Sequence, residues 1–184
     1  LDPIFYRTLN GGQTWVVVPG IFNHPNSSWP DGVVFWDNGK GFAYGDPYNN
    51  RFEIYFTTDS GYTWTQVSDN QNPTILPGEY GFANDSHISK VEGGIGFFTT
   101  SEGRIYKTTD YGVTWSITPD VPFFSDAGRI AASSENYIIS IYDEYKYTND
   151  GGSIWTSLNP NGNFYNYRFQ YVPFSDSMFI GVAP

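Results

Sequence analysis

The chain has 184 residues, no cysteine, and 9 Lys plus Arg against 19 Asp plus Glu, a formal charge of −10. The missing cysteines exclude disulfides, thiolate chemistry and a cysteine-held zinc. The acidic balance, with no basic cluster, argues against nucleic acid and anionic membranes, and no run approaches the roughly 18 apolar residues of a bilayer span.

In chain order the first predicted element is a short β-run, Ile4-Phe5-Tyr6. A polar octet follows, Thr8-Leu9-Asn10-Gly11-Gly12-Gln13-Thr14-Trp15, and then a second run to Val18. The same unit returns three times. The octets are Thr57-Thr58-Asp59-Ser60-Gly61-Tyr62-Thr63-Trp64, Thr108-Thr109-Asp110-Tyr111-Gly112-Val113-Thr114-Trp115 and Thr148-Asn149-Asp150-Gly151-Gly152-Ser153-Ile154-Trp155. Aromatic β-runs precede them: Glu53 to Phe56, Arg104 to Tyr106 and Tyr145 to Tyr147. Strand, glycine-containing polar turn, strand predicts a β-hairpin at each copy. The Asp or Asn bonds back to its own turn, the glycine two residues on takes positive φ, and the Trp adds core area. One carboxylate per turn is too few for a calcium cage, so the octets are expected to be structural.

Successive octet Trp residues stand 49, 51 and 40 residues apart. That is the period of a four-stranded propeller blade. Two further strands are therefore expected between octets. They give blades at about 33–67, 87–118 and 129–158, with almost no helix. Residues 1–18 then read as strands three and four of a blade, and residues 167–182 as strands one and two. The expectation is one all-β domain over 1–184 with four blade equivalents, one split between the ends. Unpaired edges at both ends need a partner: the halves join within one chain, join between chains, or have lost neighbours from a longer parent, and pairing between chains is the expectation. Ile4, Phe5, Tyr6, Phe169 and Phe179 are the apolar residues placed to form that seam.

The octets resemble the Asp-box, or bacterial neuraminidase repeat, the turn between the third and fourth strands of propeller blades. It occurs in sialidases, sortilin-type receptors, xyloglucanases, a photosystem II assembly factor and many secreted Bacteroidota proteins. The order Val34-Phe35-Trp36-Asp37-Asn38-Gly39-Lys40-Gly41-Phe42-Ala43-Tyr44-Gly45-Asp46-Pro47, then Pro77-Gly78-Glu79-Tyr80-Gly81, resembles propeller modules of type IX-exported Bacteroidota proteins. The resemblance implies a propeller whose octets lie away from any active site, and an extracellular or cell-surface location. A chain that opens at Leu1 is expected to be processed or excerpted from a longer product.

No catalytic constellation emerges. Arg7, Arg51, Arg104, Arg129 and Arg168 lack the Phe/Tyr-Arg-Ile-Pro motif of sialidases. The acidic residues, Asp46, Glu53, Glu79, Asp85, Glu92, Glu102, Asp126, Asp143 and Glu144 among them, cannot be paired by spacing alone. Asp46-Pro47 reads as a loop start and Asp143-Glu144 as a solvated turn. His24 and His87 lack metal-ligand spacing. No metal, cofactor or catalytic residue is expected. Two aromatic- and Asn-rich stretches, one with Trp29 and one with Phe164, Tyr165 and Tyr167, read first as inter-blade connections whose aromatics plug the core, and as the alternative reading meet a glycan or a partner surface. The expected function is a non-catalytic extracellular module, structural or adhesive, that self-associates through the split blade. The alternative is a glycan-binding or glycoside-hydrolase propeller domain from a larger secreted protein.

Overall fold

A computed structural model describes residues 5–24, 28–119, 128–141, 144–158, 168–172 and 178–182, with backbone alone at 168, 169 and 182. Three four-stranded antiparallel sheets follow one another in the chain. The first is β3 (Pro30–Phe35), β4 (Gly41–Tyr48), β5 (Arg51–Thr57) and β6 (Thr65–Gln66). The second is β7 (Ile88–Val91), β8 (Ile95–Thr99), β9 (Ile105–Thr108) and β10 (Ser116–Ile117). The third is β11 (Arg129–Ala132), β12 (Ile138–Ile141), β13 (Tyr145–Thr148) and β14 (Thr156–Leu158). Each is ordered first strand to fourth, the up-and-down arrangement of a propeller blade. Two two-stranded sheets flank them: β1 (Tyr6–Arg7) with β2 (Val16–Val17), and β15 (Arg168–Tyr171) with β16 (Phe179–Val182). Helix is limited, among the described residues, to single 3-10 turns at Asp69–Gln71 and Asp85–His87. The fold is all-β and propeller-like, as the octet period predicts.

Strand alternation builds the core between blades. Neighbouring side chains along a strand point to opposite faces. Phe98 of β8 and Tyr106 of β9 therefore join Phe42, Tyr44 and Ile54 of the preceding blade, while Phe97 and Ile105 join Ile130 and Ile138 of the following one. Ala43 and Tyr55 likewise join a cluster with Phe5 of the N-terminal half-blade and Phe22 of the connection that follows it. At the other end Phe179 stacks on Tyr137 of the third blade with ring centroids 5.8 Å apart. The first strands β7, β11 and β15 lie side by side, and the Ala132 N–H donates to Ser89 Oγ. The order along the arc is thus half-blade, three blades, half-blade.

Among the described residues the two half-blades are separate two-stranded sheets. Ile4 lies outside the described residues, as do Phe164, Tyr165 and Tyr167, and so do the side chain of Phe169 and the residue Asp143.

The octets close as predicted, with one addition. In each, the Thr hydroxyl donates to the Asp or Asn Oδ1 and accepts the glycine N–H, for example Thr108 Oγ1 to Asp110 at 2.8 Å and Gly112 N–H to Thr108 at 3.0 Å. The carboxylate also accepts the N–H two residues beyond the glycine, at Thr63, Thr114 and Ile154. Asn10 keeps both roles and turns its Nδ2 to donate to Thr14 Oγ1. Ile154 costs the fourth octet only the hydroxyl bond that Thr63 and Thr114 supply. The addition is that the residue before the glycine is also left-handed: φ is 60° at Ser60, 67° at Tyr111 and 74° at Gly151. Its N–H donates to the turn between the first two strands of the same blade, at Gly39, Gly94 and Asn136 respectively.

One expectation about the octets needs correcting. Their Trp residues are not equally core. Trp115 is 6 % exposed, whereas Trp15 is 59 % exposed; Trp64 and Trp155 are intermediate. Trp15 belongs to the half-blade at the end of the arc, and among the described residues no sheet packs over it.

Candidate functional site

Antiparallel blades sort their connections into two ends. The octets and the turns between first and second strands share one end. The turns between second and third strands, and the blade-to-blade connections, share the other. Three acidic groups lie at that connection end, two of them buried and the third, a pair, partly buried.

The first is Glu53, at the start of β5 and buried. It accepts hydrogen bonds from Ser28 Oγ and from Tyr55 Oη at 3.0 Å, and His24 Nε2 lies 3.7 Å away. His24 stacks on Tyr48 at 3.8 Å. Glu53 thereby pins the incoming connection from β2. Burial, with the charge and hydrogen bond of Glu53, pushes the Tyr55 phenol up.

The second is Glu79, on the connection from β6 to β7. It accepts from Arg104 Nη1 at 2.8 Å, Thr100 Oγ1 at 2.6 Å and the Leu76 N–H at 2.8 Å. Arg104 also donates twice to the Thr74 carbonyl. The Ser101 N–H to Tyr80 carbonyl bond and the reciprocal Tyr80 N–H to Ser101 Oγ bond, both 3.0 Å, tie the segment to the next blade.

The third is a pair. Pro30 faces Gly45 and Gly32 faces Tyr44, so Asp31 is the extra residue of a bulge in β3. Gly45 faces Glu53 and Pro47 faces Phe52, so Asp46 is the extra residue of a bulge in β4. Bulges re-aim side chains, and both carboxylates turn toward Gly81. The Gly81 N–H donates to Asp46 Oδ1 at 2.9 Å. Asp31 Oδ2 is buried without a hydrogen-bond partner, and a Cβ on Gly81 would sit 2.1 Å from it. Burial, then the Asp46 charge, pushes the Asp31 carboxyl up to about 7. Burial raises Asp46 too, against the Gly81 hydrogen bond, which lowers it. Asp46-Pro47 is therefore not a loop start but part of β4. Asp31 escapes sequence reasoning because an Asp after Pro30 reads as turn chemistry. The two bulges are local departures from alternation that one strand's sequence does not announce.

Exposed Trp29, Leu76 and Tyr80 line the same end. The Trp29 carbonyl accepts the Asp46 N–H at 2.8 Å, which places it beside the acidic pair. Among the described residues no group of three or more His, Asp or Glu stands close enough to hold a metal ion. Arg7 donates to the Gly61 carbonyl at 2.9 Å and lies over the Tyr62 ring, docking the N-terminal half-blade on the second octet.

The half-blades form the other candidate surface. Tyr6, Val16 and Val17 are exposed at one end of the arc and Met178 and Ile180 at the other. At the places of Val16 and Val17 the complete blades carry Thr65-Gln66, Ser116-Ile117 and Thr156-Ser157. Those strands are polar except for Ile117, which packs against the core, whereas Val16 and Val17 are both exposed.

The acidic residues of the octets serve the turn. Hydrogen bonds from the Thr63 hydroxyl and N–H hold Asp59 down at about 2. In Asp110 burial pushes the carboxyl up, but the bonds from Thr114 and Thr108 outweigh it and the net direction is down. Asp110→Ala is expected to destabilise by about 1–2 kcal/mol, the loss of one or two local hydrogen bonds, and Asp110→Asn by less, because Asn10 already fills that role. Equal losses in urea titrations of the two variants would reject the assignment.

No family model matches the chain, and no curated protein matches it. Solved structures do. "YCF48 bound to D1 peptide" is 21% identical over 94% of this chain and 54% of its own, with a TM-score of 0.59. "YCF48 from Cyanidioschyzon merolae" is 20% identical over 73% of this chain and 38% of its own, TM-score 0.49. "NanB plus Optactamide" is 15% identical over 91% of this chain and 29% of its own, TM-score 0.47. The chain thus spans about half the length of the first of these. At such identity the likeness speaks to fold, and the fold it supports is the β-propeller.

Proposed function

We propose that the chain is a non-catalytic, extracellular Asp-box propeller module of the kind carried by type IX-exported Bacteroidota proteins, and that it self-associates by completing its split blade with a second copy. The observation that carries this reading is the complementarity of the half-blades. Phe5 packs toward the first complete blade and leaves Tyr6 exposed; Phe179 packs toward the third and leaves Ile180 exposed. Set side by side as β15-β16-β1-β2, the two halves make one four-stranded sheet. One face covers the third blade of one copy, and the other covers the first complete blade of the next.

The octets supply the register. Thr148 pairs with Ile138 and Tyr147 with Ile139. By the same octet position Arg7 stands opposite Ile180, since Phe179 opens its strand opposite Tyr171 as Ile138 opens its strand opposite Ala132. Tyr6 then takes the place of Tyr106, which is fully buried against its preceding blade. Such a contact is heterologous and makes a ring or a filament. The similar propeller YCF48 is itself solved bound to a D1 peptide, so contact with another chain has a precedent on this fold.

The chain has no cysteine, so the test is clean. Chains carrying Arg7→Cys are mixed with chains carrying Ile180→Cys and oxidised. A disulfide-linked pair of unlike chains is expected, along with concentration-dependent mass by light scattering. A chain that stays monomeric at high concentration and forms no mixed disulfide would overturn self-association.

The bulged pair Asp31–Asp46, with Trp29 and Tyr80 beside it, favours a second reading, a glycan-active propeller domain. Its oxygen on Asp31 is covered, which suits a sugar acid–base pair poorly. Sialosides and β-glucans at low micromolar protein are expected to give no turnover. Turnover lost in Asp31→Asn would establish the second reading in place of the first.

A further inference from the structure

We propose that Asp31 and Asp46 form a pH-operated latch. The pair holds the Gly81–Asp85 part of the β6–β7 connection against the propeller in weak acid and releases it as the medium turns alkaline.

The latch is built from two neighbouring bulges, which put two carboxyl groups under one stretch of backbone. Gly81 is the clasp. Its N–H is bound by Asp46, and its missing side chain is what lets the backbone lie on Asp31. Tyr44 of β4 makes the second attachment, donating from Oη to the Phe82 carbonyl at 3.2 Å. Phe82 in turn stacks on His87 at 4.2 Å. The charged groups that act on Asp31 and Tyr44 are all carboxylates, and His87, through its stack on Phe82, is the other titratable group of the segment. β4 contributes Asp46 and Tyr44, and the connection contributes Asp85; the phenol of Tyr44 is pushed up by burial and then by Asp31, Asp46 and Asp85. A Cβ on Gly32, next to Asp31, would meet the Tyr44 ring of β4 and the apolar Ile88 of β7. Among the described residues no ion pair reaches Asp31 or Asp46.

A protonated Asp31 has an O–H to donate and sits beside an acceptor, the Asp46 carboxylate. An ionised Asp31 has a buried oxygen with no donor and a like charge next to it, which is costly. Letting Gly81 lift away admits water to both oxygens at the cost of two hydrogen bonds, Gly81 to Asp46 and Tyr44 to Phe82. The sign follows from the raised value of about 7 against 3.8. Protonation stabilises the closed form fully below about 4, its contribution wanes above that, and it is gone once the pH passes about 7. The segment released carries Tyr80 at its edge, so the latch sets how that exposed ring is presented.

The experiment reads two quantities on the intact chain between about pH 5.5 and 8.5. Carbon-detected NMR of the carboxyl groups is expected to show Asp31 titrating near 7. The protection factor of the Gly81 amide, corrected for intrinsic exchange, is expected to fall at least about tenfold across that range, the change that one unit of pKa coupling produces. In Asp31→Asn the amide is expected to stay protected at every pH. An Asp31 midpoint below about 5, or Gly81 protection that does not change with pH in the unmodified chain, would overturn the proposal. Because both readings exist for the unmodified chain, the test stands even if the variant folds poorly.

Discussion

Trp115→Ala is expected to lower unfolding stability by about 3–5 kcal/mol, as for a large aromatic removed from a core, while Trp15→Ala stays within about 1 kcal/mol. The two residues hold the same octet position and make the same indole bond, to the Gly112 and Gly12 carbonyls respectively at 3.0 Å. Their surroundings differ. Trp115 meets Phe42 edge-on at 4.9 Å and Phe98 at 5.1 Å, inside the cluster that joins the first two complete blades. Trp15 is open to solvent. For a chain of this size the Trp115 loss corresponds to a melting shift of about 10 °C. Similar melting shifts for both variants would show that the octet Trp acts through its turn and not through the blade interface. If the split blade is completed by a second copy, Trp15→Ala should instead weaken assembly without touching the melt of the isolated chain.

The contrast marks what the sequence made legible. Periodic, local features came through. The octets gave the turn, the hydrogen-bond roles of Thr, Asp and glycine, and the blade spacing. The two further strands expected between octets are there, for example Ile95–Thr99 and Arg129–Ala132. What did not come through depends on neighbours in space. Nothing in Trp15 distinguishes it from Trp115 until one knows that, among the described residues, its half-blade has no preceding blade to pack against. Likewise Ser60 and Tyr111 give no sign of positive φ, because that backbone is fixed by a bond to the turn of another hairpin.

The acidic groups of the connection end were the least legible. Glu53, Glu79, Asp31 and Asp46 are spread over nearly fifty residues and four segments. Their grouping follows from the propeller itself, which returns the start of every first and third strand to the same end. The chain thus separates two tasks: repeated turns at one end set blade geometry, while unrepeated residues at the other end tie the connections down.

Glu79→Ala is the second large expected effect, a loss of about 3–5 kcal/mol. The carboxylate is wholly buried, and its partner Arg104 is nearly so. Removing one member of such a pair leaves the other as an uncompensated buried charge, which accounts for most of the loss. Arg104 does not lose everything, since the Thr74 carbonyl accepts from both Nη1 and Nη2 and the guanidinium lies 5.2 Å from the Tyr106 ring centroid. Glu79→Ala also frees the Leu76 N–H and the Thr100 hydroxyl. The double variant Glu79→Leu with Arg104→Met removes both charges and fills both places with apolar atoms. It is expected to recover at least half of the single-variant loss, because the energy lies in the unpaired charge and not in the pair as such. Hydrogen exchange would locate the effect: in Glu79→Ala the amides of Leu76, Glu79 and Tyr80 should lose protection first, while those of β8 and β9 open only with the whole fold. Additive losses in the double variant would mean that Glu79 and Arg104 each hold the connection independently, and that the buried ion pair is not its fastening.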